Sequence, residues 1–185
     1  MKFLLPILVY IGLLAPSYAS PFDLDLSKTY NIPPEIKNFQ HFYGDVRSGP
    51  IIYLGKKDLS NFETELHLWF RQKKITGALL ILGPSGLDDF DCIKKYNNVT
   101  KLLNGKYGHY IAVKVEKDTM LEDLIPNAVC DPVRLGLYFL KTFWKTKKMT
   151  IISSLVGDED GFYIEIEYSF NKHQNQKLKK LKKLL

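Results

Sequence analysis

Metal-binding and nucleophilic residue types are scarce in this 185-residue chain, which has two cysteines, four histidines and three methionines. Two cysteines, Cys92 and Cys130, do not make a zinc or iron–sulfur site, and no second Cys or His stands at ligand spacing around either. His41, His67, His109 and His173 form no His-x-x-x-His or Cys-His pattern, so the sequence offers no support for a zinc hydrolase or a Cys–His nucleophile pair. Proline (9) and glycine (12) are too few and too scattered for a collagen-like or low-complexity chain. Long apolar runs are missing too, apart from Phe3 to Ala15 at the start.

The rest of the composition is that of a globular protein: 45% hydrophobic, 13% aromatic and 25% charged. The length fits one domain with a core of its own. The first residues read as an export leader. Lys2 gives the basic start, Phe3 to Ala15 the apolar run, Pro16 the break, and Ser17-Tyr18-Ala19 the small-x-small cleavage pattern. Phe22-Asp23-Leu24-Asp25 supplies no basic stop-transfer flank, so cleavage near Ala19 is expected over an uncleaved anchor. The mature protein is then periplasmic or secreted. In that setting Cys92 and Cys130 are expected to pair in a disulfide rather than remain two buried thiols. Asn98-Val99-Thr100 is a glycosylation sequon, informative only in a eukaryotic secretory pathway.

The formal charge of +6 is unevenly spread. Without Lys2 and the last six lysines, residues 20–171 hold 19 basic and 20 acidic side chains, a net of −1. A domain that binds nucleic acid carries a basic face on its body, so nucleic acid is disfavoured as a partner. The excess sits in residues 171–185. There Leu178, Leu181 and Leu185 fall at helical spacing, with Lys177, Lys179, Lys180, Lys182 and Lys183 on the other side. Such a basic amphipathic tail suits a partner's groove or an anionic membrane surface, or it frays in water.

Between these ends, residues 20–50 read as an extended arm around a single domain of residues 51–170. Ile51 to Leu54 and the apolar run Gly77 to Leu82 read as strands, and His109 to Glu116 alternates as a strand does. Ser60-Asn-Phe-Glu63 resembles a capping box, which predicts a helix to about Lys74 through Phe62, Leu66, Trp69 and Phe70. A second helix is predicted from Asp88-Asp89 to about Leu103, and a short third one from Thr119. A fourth is predicted from Asp131-Pro132 through Val133, Leu137, Leu140 and Trp144. Met149 to Leu155 and Phe162 to Phe170 read as a closing hairpin. This alternation predicts an α/β fold: a mixed, mainly parallel sheet with helices packed on it and a C-terminal antiparallel hairpin.

In such a sheet the carboxyl ends of parallel strands carry the site. Asp88, Asp89 and Asp91 follow one strand, and Glu116 and Asp118 end the next. If these strands were neighbours, the carboxylates could hold Ca²⁺ or Mg²⁺, which would suit a small metal-dependent hydrolase. The competing reading is that these acids cap helices. Gly83-Pro84-Ser85-Gly86 fails the nucleophile-elbow and phosphate-loop patterns and reads as a tight turn. With no catalytic residue and no cofactor specified, the leading expectation is an exported protein-binding module, part of an envelope assembly or a secreted effector.

Overall fold

The structure, a computed structural model, describes residues 21–55, 63–87, 92–117, 130–158 and 161–170. The leader, the C-terminal tail and the predicted helix at Thr119 lie outside the described residues.

The eight strands are β1 (Phe39–Asp45), β2 (Ser48–Gly55), β3 (Thr64–Arg71), β4 (Lys74–Leu87), β5 (Ala112–Lys117), β6 (Tyr138–Lys145), β7 (Met149–Asp158) and β8 (Gly161–Phe170). Two helices, α1 (Cys92–Tyr107) and α2 (Cys130–Arg134), fall between the two sets of strands and inside the second. All the strands join one sheet in the order β1-β2-β3-β4-β8-β7-β6-β5. Every neighbouring pair is antiparallel. The expected mainly parallel α/β arrangement is therefore wrong.

The error lies in two segments whose spacing fits both periods. Leu66, Trp69 and Phe70 can share a helical stripe, but Thr64, Leu66, Leu68 and Phe70 also fall on one face of a strand, and residues 64–71 take that form as β3. Likewise Leu140 and Trp144 suit a helix, but Leu140, Thr142 and Trp144 alternate inward in β6. Both segments are rich in aromatic and β-branched residues, which fit a pleated surface better than a helix. The helix at Asp131 stops at Arg134, and Gly136, at φ 69°, turns the chain into β6. The predicted turn at Gly83 is also absent, since β4 runs on to Leu87 with an irregularity in its pairing to β8 beyond Leu82. The expected arm contains β1.

Alternation gives each strand one inward side. Ile51, Tyr53, Leu66, Leu68, Ala78, Ile164, Ile166, Ile151, Leu155 and Trp144 are all buried on the same face. Each fully buried aliphatic side chain there contributes about 1.5–3 kcal/mol. That face has two covers. Over β1–β4 lies the segment before β1, where Leu24, Tyr30 and Ile36 are buried. The Tyr30 amide donates to the Lys73 carbonyl at 2.8 Å, and the Tyr53 hydroxyl donates to the Pro34 carbonyl at 2.8 Å.

Over β6–β8 lie the helices, tied together by the Cys92–Cys130 disulfide, with Cα atoms 5.8 Å apart. The buried Tyr96 hydroxyl of α1 lies 2.8 Å from Thr142 Oγ1 and 2.9 Å from the Ser153 carbonyl. Having one proton, it donates to the carbonyl and accepts from the threonine. Trp144 Nε1 donates to Asn104 Oδ1 of α1 at 2.9 Å. Where α2 crosses β7, a Cβ on Gly157 would overlap the Val133 carbonyl, so only glycine lets the two backbones approach so closely.

Candidate functional site

Because side chains alternate along a strand, everything that does not face this core points to the other side of the sheet. Among the described residues, the contacts that fix α1, α2 and the N-terminal segment all run to the core face. Among the described residues the opposite face has no such cover, and it mixes apolar with charged side chains. Two rows of cross-strand neighbours run over it. One reads Leu54, Glu65, Ile81, Glu165, Ser154, Lys141 from β2 to β6. The next reads Ile52, His67, Leu79, Glu167, Ile152, Phe143.

Between β3, β4 and β8 the face dips into a cleft of about 420 Å³, lined by Trp69, Thr76, Gly77, Leu79, Glu165, Glu167, Tyr168 and Ser169. Gly77 explains the dip, because it pairs with Trp69 on one side and Ser169 on the other and puts no side chain between them. A Cβ there would stand 3.8 Å from Trp69 Cε3 and 3.2 Å from the Tyr168 carbonyl oxygen. Trp69 itself is 37% exposed. The other tryptophan, Trp144, is fully buried.

The electrostatics of the cleft centre on Glu165. Burial pushes its carboxyl above the ordinary carboxylate value and the neighbouring Glu167 adds to this, while Lys141 and His67 pull the other way. His67 Nε2 lies 3.1 Å from Glu65 Oε2, and Ser169 donates its hydroxyl to Glu167 at 2.9 Å. An apolar surface with a half-buried carboxylate and an accessible indole can hold apolar side chains together with a cation. The cation is drawn to the carboxylates and to the ring face.

The sequence-derived site residues fare differently. Cys92 and Cys130 are joined. Asp88, Asp89, Asp91 and Asp118 lie outside the described residues, and Glu116 is placed only by its backbone in β5. The neighbour relation that would have gathered these carboxylates is absent, since β8, β7 and β6 separate β4 from β5. At normal strand spacing that is about 19 Å. Among the described residues no group of His, Cys, Asp and Glu is placed to hold a metal ion, and no helix is long and apolar enough to cross a membrane. Lys177, Leu178, Lys179, Lys180, Leu181, Lys182, Lys183 and Leu185 lie outside the described residues.

Sequence reasoning placed Trp69 on a helix, whereas it stands on the open face of β3. The usable signal was Gly77 inside an apolar strand, which often marks a close approach or a gap. No family model, curated protein or solved structure matches the chain.

Proposed function

We propose that this chain is an exported protein-binding module whose partner docks on the uncovered sheet face. The observation that carries the reading is that face itself: Ile52, Leu79, Ile152 and Phe143 share a row with His67 and Glu167, beside the half-buried Glu165 and a cleft at Trp69. The chemistry asks for a partner with apolar side chains around a lysine or arginine. The cation would sit over Glu165 and Glu167, the apolar groups over Leu79 and Ile152. Support for export comes from the leader pattern at Lys2 to Ala19, and the disulfide is in keeping with an oxidising compartment.

The test is a photo-crosslinking residue placed at Leu79 of the mature protein in its native envelope or culture fluid. A single captured protein that is lost in a Glu165→Lys background, but retained when the exposed Leu135 is changed to Lys, supports the reading. Capture that is unaffected by Glu165→Lys, or no specific capture, refutes it.

A further inference from the structure

The open face itself displays what it asks of a partner, apolar groups beside lysines. On β6, Lys141, Phe143 and Lys145 alternate outward, and their cross-strand neighbours on β7 are Ser154, Ile152 and Thr150. Those in turn neighbour Glu165, Glu167 and Ser169 of β8. Acid and base are thus set on either side of an uncharged strand. We propose that the partner is a second copy of this chain, the two open faces packing against each other about a two-fold axis that runs along β7. This inference rests on the reading of the face in the preceding section and names its occupant.

Symmetry selects the axis. A two-fold along a strand lays that strand on its own copy and exchanges the strands on either side, while each residue keeps its height along the strand. Along β7 the self-contact falls on Thr150, Ile152 and Ser154, which carry no charge. β8 then lies over the second copy's β6. Glu165 faces the second copy's Lys141, and Glu167 lies over its Phe143, between its Lys141 and Lys145. Leu79 of β4 faces the second copy's Ala112, a large side chain over a small one. Every contact is made twice.

The other axes fail on charge. One along β8 would put Glu165 and Glu167 on themselves, and one along β6 would do so with Lys141 and Lys145. One along β4 would set Glu65 of β3 over the second copy's Glu165. An axis across the strands lays β8 on β8, glutamate against glutamate. Like charges brought together in this way oppose association.

Distance and area agree with the arrangement. Packed sheets stand about 10 Å apart, a gap that facing lysine and glutamate side chains span between them. Five strands overlap, β4, β8, β7, β6 and β5, which gives each copy about 24 Å by about 27 Å, or about 650 Å². The total of about 1,300 Å² falls in the range of roughly 1,200–2,000 Å² of specific interfaces.

The test is sedimentation velocity on the mature protein over a range of concentrations, with two charge-reversed chains, Glu165→Lys/Glu167→Lys and Lys141→Glu/Lys145→Glu. The parent should dimerise, more weakly at high salt. Each reversed chain alone should dimerise about a hundredfold more weakly or worse, because like charges meet at both contacts. Mixed one to one, the two should form a heterodimer, because both contacts are again opposite in sign. That result also shows that both chains fold. Should a reversal unfold the chain, Ile152→Lys, which sets like charges on the axis, must abolish the dimer in its place. Changing the exposed Leu135 to Lys should leave the dimer intact. Dilution separates the copies, so the folding of each monomer is measured there.

A parent that is monomeric at every concentration overturns the inference. So does a dimer that withstands the reversals or Ile152→Lys, which moves the contact to another surface, and so does a mixture of folded reversed chains that stays monomeric. If the crosslinker at Leu79 captures a different protein in a Glu165-dependent way, this inference falls and the reading of the face stands. If it captures nothing, not even a second copy, both fall.

Discussion

Replacing both cysteines, Cys92→Ala with Cys130→Ala, removes a bond that closes a loop of 38 residues in sequence. In the chain-entropy treatment that loop restricts the unfolded state by about 13 cal/mol/K, or about 4 kcal/mol at 25 °C. The native side adds to this. Cys92 is fully buried at the start of α1, so alanine leaves a small void costing up to about 1 kcal/mol more. The helices keep other anchors, through Tyr96 for α1 and the α2–β7 crossing at Gly157. The variant should therefore fold, with stability lower by about 4–5 kcal/mol.

The assay is guanidinium unfolding followed by the fluorescence of the buried Trp144, with reductant added to the parent protein in parallel. Reduction should reproduce most of the loss, and the slope of the transition should rise because the uncrosslinked unfolded chain exposes more surface. A loss under about 1 kcal/mol would refute the argument, because the loop-closure entropy would then be missing. A parent protein unmoved by reductant beside a strongly weakened variant would locate the effect in packing at Cys92 instead.

Three further outcomes are expected. Tyr96→Phe strips a buried hydroxyl that serves both Thr142 and the Ser153 carbonyl, and should cost about 1–3 kcal/mol in the same unfolding assay. Lys73→Gly should stabilise by about 0.5–1 kcal/mol in thermal unfolding, because Gln72 and Lys73 turn the β3–β4 hairpin with φ of 51° and 61°, a conformation natural to glycine; destabilisation would contradict the turn geometry. Folding raises the Glu165 carboxyl above its ordinary value of 4.5, so it favours the protonated form, and stability should fall as pH rises from there through the raised value. Glu165→Gln should therefore raise Tm at pH 7 and lose that advantage near pH 4; an equal gain at both pH values would show that ionisation is not the cause.

Legibility from sequence followed the cleanness of the alternation. Phe162 to Phe170 alternates without a break, and its inward set is the buried set. The apolar run Gly77–Leu82 lies within β4. Around β3 the signals conflicted. Its inward face starts at Thr64, which weakens the apolar period of two. Its exit turn is Gln-Lys, not the Asn-Gly that announces a two-residue hairpin. In β6 the inward Thr142 hides the alternation, because its place in the core depends on a hydroxyl brought by Tyr96, 46 residues away in sequence. Once these two strands were read as helices, alternation of strand and helix implied parallel pairing, and the parallel sheet implied carboxylates at strand ends. The expected gathering of those carboxylates rested on a parallel order that the sheet does not have.

The same register explains why the cleft sits where it does. The strand order is unchanged in form when β1–β4 are exchanged with β5–β8, so β4 and β8 meet at the centre as the seam between two four-strand meanders. On the core side the seam is closed over by different devices on the two halves: a chain segment without regular helix over one, and the disulfide-linked helices over the other. Among the described residues, neither meander brings a helix to the far side. The seam is where Gly77 from one half faces Ser169 and the glutamates of the other. The half-buried Glu165 beside Glu167 has no use in packing, since burial disfavours the ionised form of its carboxyl. It has a use if a cation arrives from outside the sheet, as a lysine or arginine of the proposed partner would.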